Sequence, residues 1–210
     1  GAVVVKFQAF GRITPVLIDT LVPVTDEGIP LLSHPVDKTK SPWFCLVEKA
    51  FIKLNGSFLS IEGISFEKAL YCMYFTYSKI FQISTLGSNI KIVDYSTNEK
   101  YPLTFDKINE YYNSGCVIHT GILRKYTDRP TVKGLIRSHS YHVYNLGSFK
   151  GKNFICLRNP WGKDEWEGKY SRNYTLIPDD LKKFLDYEHL PSGIFWMSFE
   201  DFFKNFNRIV

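Results

Sequence analysis

Residues 136–162 read IRSHSYHVYNLGSFKGKNFICLRNPWG. Two side chains capable of acid–base work, His139 and Asn159, flank the turn-rich GSFKG segment at 147–151, and the pattern around it predicts a β-hairpin. A hairpin centred on Phe149 places His139 ten residues before the centre and Asn159 ten after it, opposite one another. Opposed Cβ atoms lie roughly 4.5–5.5 Å apart, within reach of an amide–imidazole hydrogen bond. An amide oxygen that accepts from one ring nitrogen fixes the tautomer and leaves the other nitrogen for a nucleophile's proton. That is a general base with its orienter, the arrangement of a Cys-His-Asn triad. An opposed His and Asn in a sheet also serve as a purely structural pair, so geometry alone leaves both readings open.

The elements needed to position this pair can be read along the chain. VVVKFQAF and RITPVLIDTLVPV predict strands broken at Gly11, followed by a TDEGIP turn. SPWFCLVEKAFIKLNG predicts a helix capped by Ser41, with Pro42 at its first position and Asn55-Gly56 as its left-handed stop. Trp43, Leu46, Ala50 and Lys53 or Leu54 form its expected buried stripe. SFEKALYCMYFTYSKIF predicts a second helix, buried because it is so aromatic. NIKIVDY reads as a strand, and TFDKINEYYNSG as a short helix capped by Thr104 and closed near Gly115. CVIHTGI, GLIRSHSYHVYNL, NFICLRN and GIFWMSF then predict strands, with PDDLKKFL and a Ser198-capped SFEDFFKNF as helices. Helices first and hairpin-linked strands afterwards make an α+β chain, read as one domain over 1–210.

The bulk numbers fit a folded segment and exclude several classes. Of 210 residues, 44% are hydrophobic and 16% aromatic, which rules out a disordered chain. The net charge of +5 is spread without a run of like charges, so no nucleic-acid partner is expected. No apolar run is long enough to span a membrane, and the N-terminus lacks a signal-peptide layout. Cys45, Cys72, Cys116 and Cys156 show no CxxC spacing, as expected of free thiols in a cytoplasmic setting. His139 and His142, three apart on a strand, point to opposite faces and are not expected to share a metal; His34 and His119 carry no partner spacing.

GLIRSHSYHV followed by FICLRNPWGKDEWEGKY resembles the calpain family of papain-like cysteine proteases. In that family a Gly-His-Ala-Tyr strand precedes one ending in Arg-Asn-Pro-Trp-Gly, then Glu-Trp and a Gly. SPWFCLVEKAFIKLNGSF, GIFWMSFEDFFKNF and LVPVTDEGIPLLSH resemble three further family segments, in the same order along the chain. The resemblance implies the second, His/Asn-bearing lobe of the protease core: antiparallel, barrel- or sandwich-like sheets flanked by helices. It implies His139 as general base, Asn159 as its orienter, Trp161 as an indole covering the pair in the cleft, and Ser138 lining the pocket where the family has Gly.

The family's nucleophile, a Cys in a Gly-Asp-Cys-Trp context at a helix N-terminus, has no counterpart here. All four cysteines read as small apolar core residues. The resemblance therefore implies half of an active site, inactive alone, whose partners are a nucleophile-bearing lobe of the same full-length protein and peptide substrates. Of the family's calcium ligands in this lobe, Glu165 matches one, but Arg172 stands where an Asp is expected, and Ser192 and Ile194 where acidic residues are expected. One carboxylate beside a guanidinium is a poor calcium cage, so no cofactor is expected in this lobe. Calcium regulation of the full-length protein stays open. YFTYS at 74–78 replaces a family Thr-Gly-Gly. These departures keep an alternative in view, a lobe of a calpain-like pseudoprotease that only binds partners.

Overall fold

The computed structural model of the chain describes residues 1–31, 33, 43–74, 76–86, 89–94, 97, 103–123, 134–163 and 165–210. They form an α+β protein with antiparallel sheets and six α-helices. Contacts divide the chain into two compact units, Gly1–Ser78 and Lys79–Val210. No helix among the described residues is long and apolar enough to cross a membrane.

In the first unit, β1 (Ala2–Ala9) and β2 (Arg12–Asp19) pair as a hairpin. Phe10 and Gly11 form its two-residue turn with φ of 56° and 73°, the left-handed pair that matches strand twist. Alternation along both strands sends Phe7, Ala9, Val16 and Ile18 onto one face, where Ala50 and Phe51 of α1 (Trp43–Leu54) cover them. The predicted caps Ser41 and Pro42 lie outside the described residues. The buried positions of α1 are Cys45, Ala50, Phe51 and Ile52. Trp43, expected in the stripe, is instead exposed and stacked on Phe44 at 3.8 Å between centroids. A short α2 (Phe58–Ile61) follows, with Ser57 capping Ser60.

The second aromatic segment departs most from expectation. α3 (Phe66–Tyr74) ends well before Phe81 and has no fully buried residue; Tyr71 and Tyr74 are exposed. Only the Ala69, Cys72 and Met73 side of it packs on the hairpin's core, so aromatic content was a poor guide to burial. Phe81 and Ile83 are buried at a spacing of two, the strand period, because they belong to β3 (Phe81–Leu86).

The second unit is built on an open seven-stranded sheet, in the order β4-β3-β9-β5-β6-β7-β8. Besides β3 its strands are β4 (Asn89–Asp94), β5 (His119–Gly121), β6 (Ser140–Phe149), β7 (Lys152–Arg158), β8 (Ile194–Ser198) and β9 (Arg208–Ile209). All pairings are antiparallel, and the sheet does not close into a barrel among the described residues. Helices cover both faces. Ile108 of α4 (Phe105–Asn113) and Phe202 and Phe206, from α6 (Phe199–Asn205) and its cap, join Tyr141, Val143, Ile155, Leu157 and Phe195 in one cluster. Leu181 and Leu185, from α5 (Asp179–Phe184) and its cap, pack with Phe154, Cys156 and Trp196 in the other. With both faces covered, β7 is buried at four consecutive positions, Phe154–Leu157, as a central strand should be. Thr104 and Ser198 cap α4 and α6 as expected, accepting from Lys107 N–H at 3.2 Å and Asp201 N–H at 3.1 Å.

The β6–β7 register differs from the symmetric hairpin read from the sequence. The turn is Lys150-Gly151, with φ of 47° and 75°, and Phe149 pairs with Lys152. A two-residue left-handed turn thus replaces the five-residue loop, and a bulge between Val143 and Asn145 shifts the pairing again. His142 ends up opposite Arg158, and His139 precedes β6 instead of lying within it.

Candidate active site

His139 sits on a loop that is pinned at several points. Ser138 N–H donates to Ile122 O at 2.8 Å, and Ile136 N–H donates to the Tyr141 hydroxyl at 2.8 Å. Gly134, at φ +92°, lies so close to Glu165 that an added Cβ would fall 2.0 Å from the Glu165 carbonyl oxygen. Behind the loop, the buried Asn207 side chain brackets Leu123, accepting from its N–H at 2.7 Å and donating to its O at 2.8 Å. Ser138 itself is left-handed, φ 53°, a conformation that Gly adopts without strain. That is a physical reason for Gly at this position in the resembling family.

Asn159 follows directly on β7 and opens a turn over Asn-Pro-Trp-Gly, closed by Gly162 N–H donating to Asn159 O at 3.0 Å. Pro second and Gly fourth suit such a turn. The Asn159 side chain is fully buried, and hydrogen bonds on both its oxygen and its nitrogen fix its amide. Oδ1 accepts from Trp161 N–H at 3.1 Å, an Asx turn, while Nδ2 donates to Lys163 O. With oxygen and nitrogen so assigned, the 2.8 Å contact between Asn159 Oδ1 and His139 Nε2 requires the ring nitrogen to donate. The neutral imidazole therefore carries its proton on Nε2, and Nδ1 presents a lone pair.

Register shift and loop placement compensate. With His142 opposite Arg158, Asn159 lies beyond the last ladder pair, and His139 reaches it from the strand approach. The ring is half-buried, edge-on to the buried Tyr141 at 5.1 Å and beside the Trp161 indole at 4.2 Å. Trp161 is 57% exposed, so its indole covers the ring from the solvent side and is not part of the core.

The expected nucleophile environment is absent from the four thiols. Cys156 is buried between Phe154 and Leu157, and burial pushes its thiol far up. Cys45 is buried and donates to Ser33 O at 2.9 Å; Cys72 packs partly against the first unit's core; Cys116 is exposed beside Ser114. None is among the partners of the His139 ring.

Glu165 lies beside this loop with both carboxylate oxygens engaged. Oε1 accepts from Gly193 N–H at 2.7 Å and Oε2 from Arg172 Nε at 3.1 Å. Arg172 Nη2 also donates to the carbonyls of Leu190 and Pro191, each at 2.9 Å, and to Ile194 O at 3.4 Å. Ser192 Oγ donates to Gly162 O at 2.7 Å. The Glu165 oxygens and the Leu190, Pro191 and Ile194 carbonyls already serve N–H donors, an arrangement that does not fit a calcium cage, which needs its oxygens free. Among the described residues no group of three or more His, Cys, Asp or Glu side chains is placed to hold a metal.

Two features were missed in the sequence. His119 stands directly opposite His142 across β5 and β6, with ring centroids 5.0 Å apart. Burial, and then the neighbouring His142, depress His119 to about 3, and burial likewise lowers His142. Only the strand register brings the two together, so spacing along the chain gave no sign of the pair. Arg172 stands out in the sequence as an intruder among expected ligands, but its gathering of three carbonyls depends on the path of the 190–194 loop.

A family model described as calpain family cysteine protease matches residues 1–210. The chain is 30% identical to a calpain of Schistosoma mansoni, covering 100% of this chain and 27% of that protein. It is 27% identical to human calpain-7, covering 100% of this chain and 25% of the relative. Against Drosophila melanogaster calpain-A it is 28% identical over 97% of this chain and 24% of the relative. The chain thus belongs to the calpain family of cysteine proteases, and it spans about a quarter of the length of these relatives.

Proposed function

We propose that this chain supplies the general base, His139, and its orienter, Asn159, to an intracellular cysteine endopeptidase whose thiolate comes from another part of the full-length protein. One observation carries the reading: an imidazole held through Nε2 by a backbone-locked amide, with Nδ1 left open beneath an exposed indole. A satisfied core histidine has no use for an open ring nitrogen at the surface end of a sheet.

In this reading Nδ1 takes the proton of the cysteine thiol, and the imidazolium is held by the Asn159 amide oxygen. The thiolate adds to the scissile carbonyl, forming a C–S bond. Collapse breaks the C–N bond, and the Nδ1 proton passes to the departing amine. His139 then takes a proton from water, whose oxygen attacks the thioester; the acid product leaves and the thiol is restored. Trp161 shields the Nε2–H···O bond from competing water. Ser138 lines the substrate side of the loop.

The test is covalent trapping. The full-length protein is treated with a peptidyl chloromethyl ketone, and the adduct is located by mass spectrometry. We expect one adduct on a cysteine other than Cys45, Cys72, Cys116 and Cys156, and its loss in His139→Ala. Absence of any adduct, or an adduct formed equally in His139→Ala, would instead fit a lobe that binds partners without cleaving them.

A further inference from the structure

Arg172 gathers four polar contacts. One guanidinium engages the Glu165 carboxylate through Nε and three backbone carbonyls, those of Leu190, Pro191 and Ile194, through Nη2. The Glu165 side chain is only 17% exposed, so this pair is embedded on the acidic side. Backbone carbonyls turned toward one point create a site that favours positive charge, and the planar fork of Arg suits several acceptors at once.

The oxygens that Arg172 collects belong to two segments, the Glu165 loop and the 190–194 loop, and both lead to the candidate active site. Gly193 N–H donates to Glu165 Oε1 at 2.7 Å, and Gly193 O accepts from Asn159 N–H at 2.8 Å. Ser192 Oγ holds Gly162 O at 2.7 Å. The two backbones touch so closely that a Cβ on Gly193 would lie 2.6 Å from Gly162 Cα. The turn Asn159–Gly162, which carries both the orienting amide and the covering indole, is therefore seated on a loop that Arg172 gathers.

We propose that Arg172 acts as a built-in cation, filling the place where the family's resemblance implies calcium, and holds the Asn159–Trp161 turn in position without a metal. It is a positioning residue, acting through Glu165 and the 190–194 loop. The contacts stand independently of peptide hydrolysis; their bearing on catalysis rests on the reading of His139 and Asn159 given above.

The experiment uses the 210-residue chain, its Arg172→Ala and Arg172→Lys variants, and NMR with and without calcium at about 1 mM, well above the ~10⁻⁷–10⁻⁵ M range of sensor sites. The readouts are exchange of the Gly193 amide and the His139 Nε2–H resonance. In the parent chain Gly193 exchanges slowly, Nε2–H is visible, and calcium moves neither. In Arg172→Ala, Gly193 exchange rises by at least about tenfold, as for a local opening freed of its clamp, and the Nε2–H signal weakens. Arg172→Lys, which keeps the charge but not the fork, falls between the two. Calcium-dependent shifts at Glu165 and Gly193 in the parent chain would overturn the proposal. So would unchanged exchange and an unchanged Nε2–H in a folded Arg172→Ala. Should Arg172→Ala fail to fold, the Lys variant and the parent's response to calcium decide between the same outcomes. These readouts need no peptidase activity, so failure of the clamp and failure of the catalytic reading are seen separately.

Discussion

Replacing Asn159 by Ala removes the amide that fixes the imidazole, and its consequences can be worked out bond by bond. The side chain is fully buried and makes hydrogen bonds to His139 Nε2, Trp161 N and Lys163 O. At about 1 kcal/mol each, their loss destabilises by about 3 kcal/mol. For a chain of this size roughly 3 °C accompanies each kcal/mol, so thermal unfolding of the chain, followed by circular dichroism, is expected to shift down by about 9 °C. The more specific readout is the tautomer. Long-range ¹H–¹⁵N spectra of the parent chain should place the His139 proton on Nε2, while Asn159→Ala should give a mixture of tautomers or a fast-exchanging ring. A shift below about 2 °C with the Nε2 tautomer intact would refute the idea that this amide holds the ring.

Three further outcomes follow from other parts of the second unit. Gly193→Ala forces a Cβ against Gly162 at a φ of +82°, so we expect loss of about 2 kcal/mol or more in urea denaturation and a changed Trp161 emission; a midpoint like the parent's would contradict the close approach. Because His119 is depressed to about 3 in the folded chain, the unfolded chain binds the extra proton below its usual value near 6.5. Stability is then full above about pH 6.5 and falls toward pH 3 by about 1 kcal/mol per pH unit after allowing for partial exposure. His142 acts in the same direction. His119→Gln should flatten the fall in urea midpoint between pH 7 and about pH 5, and an unchanged slope would sink the assignment. Ser198→Ala removes the cap of α6 and should cost about 1 kcal/mol, read from the same urea curves.

How much of this was legible in the sequence varies with the range of the interaction involved. The α+β class followed from local periodicity and punctuation: Thr104, Ser198 and Gly11 each do locally what their types imply. Phe81 reads in the sequence as the tail of a helix because aromatic richness outweighs its two-residue alternation with Ile83, which gains meaning only beside β4 and β9. The His139–Asn159 meeting is legible in the sequence, but through a symmetric register that the Lys150-Gly151 turn and the bulge before Asn145 replace. It survives because His139 lies on a loop ahead of β6, two residues before the buried Tyr141. The His119–His142 pair and the carbonyls around Arg172 are products of pairing and loop path, which no spacing along the chain encodes.

The central claim, that His139 serves as the base of a cysteine endopeptidase, is tested most directly by the rate of peptide hydrolysis. The full-length protein and its His139→Ala variant would be assayed side by side on a fluorogenic peptide. With His139 as the base, kcat/KM falls by about 10²–10⁴-fold in the variant, the span expected on losing a general base, with the fold intact by circular dichroism. Equal rates in the two proteins would contradict it.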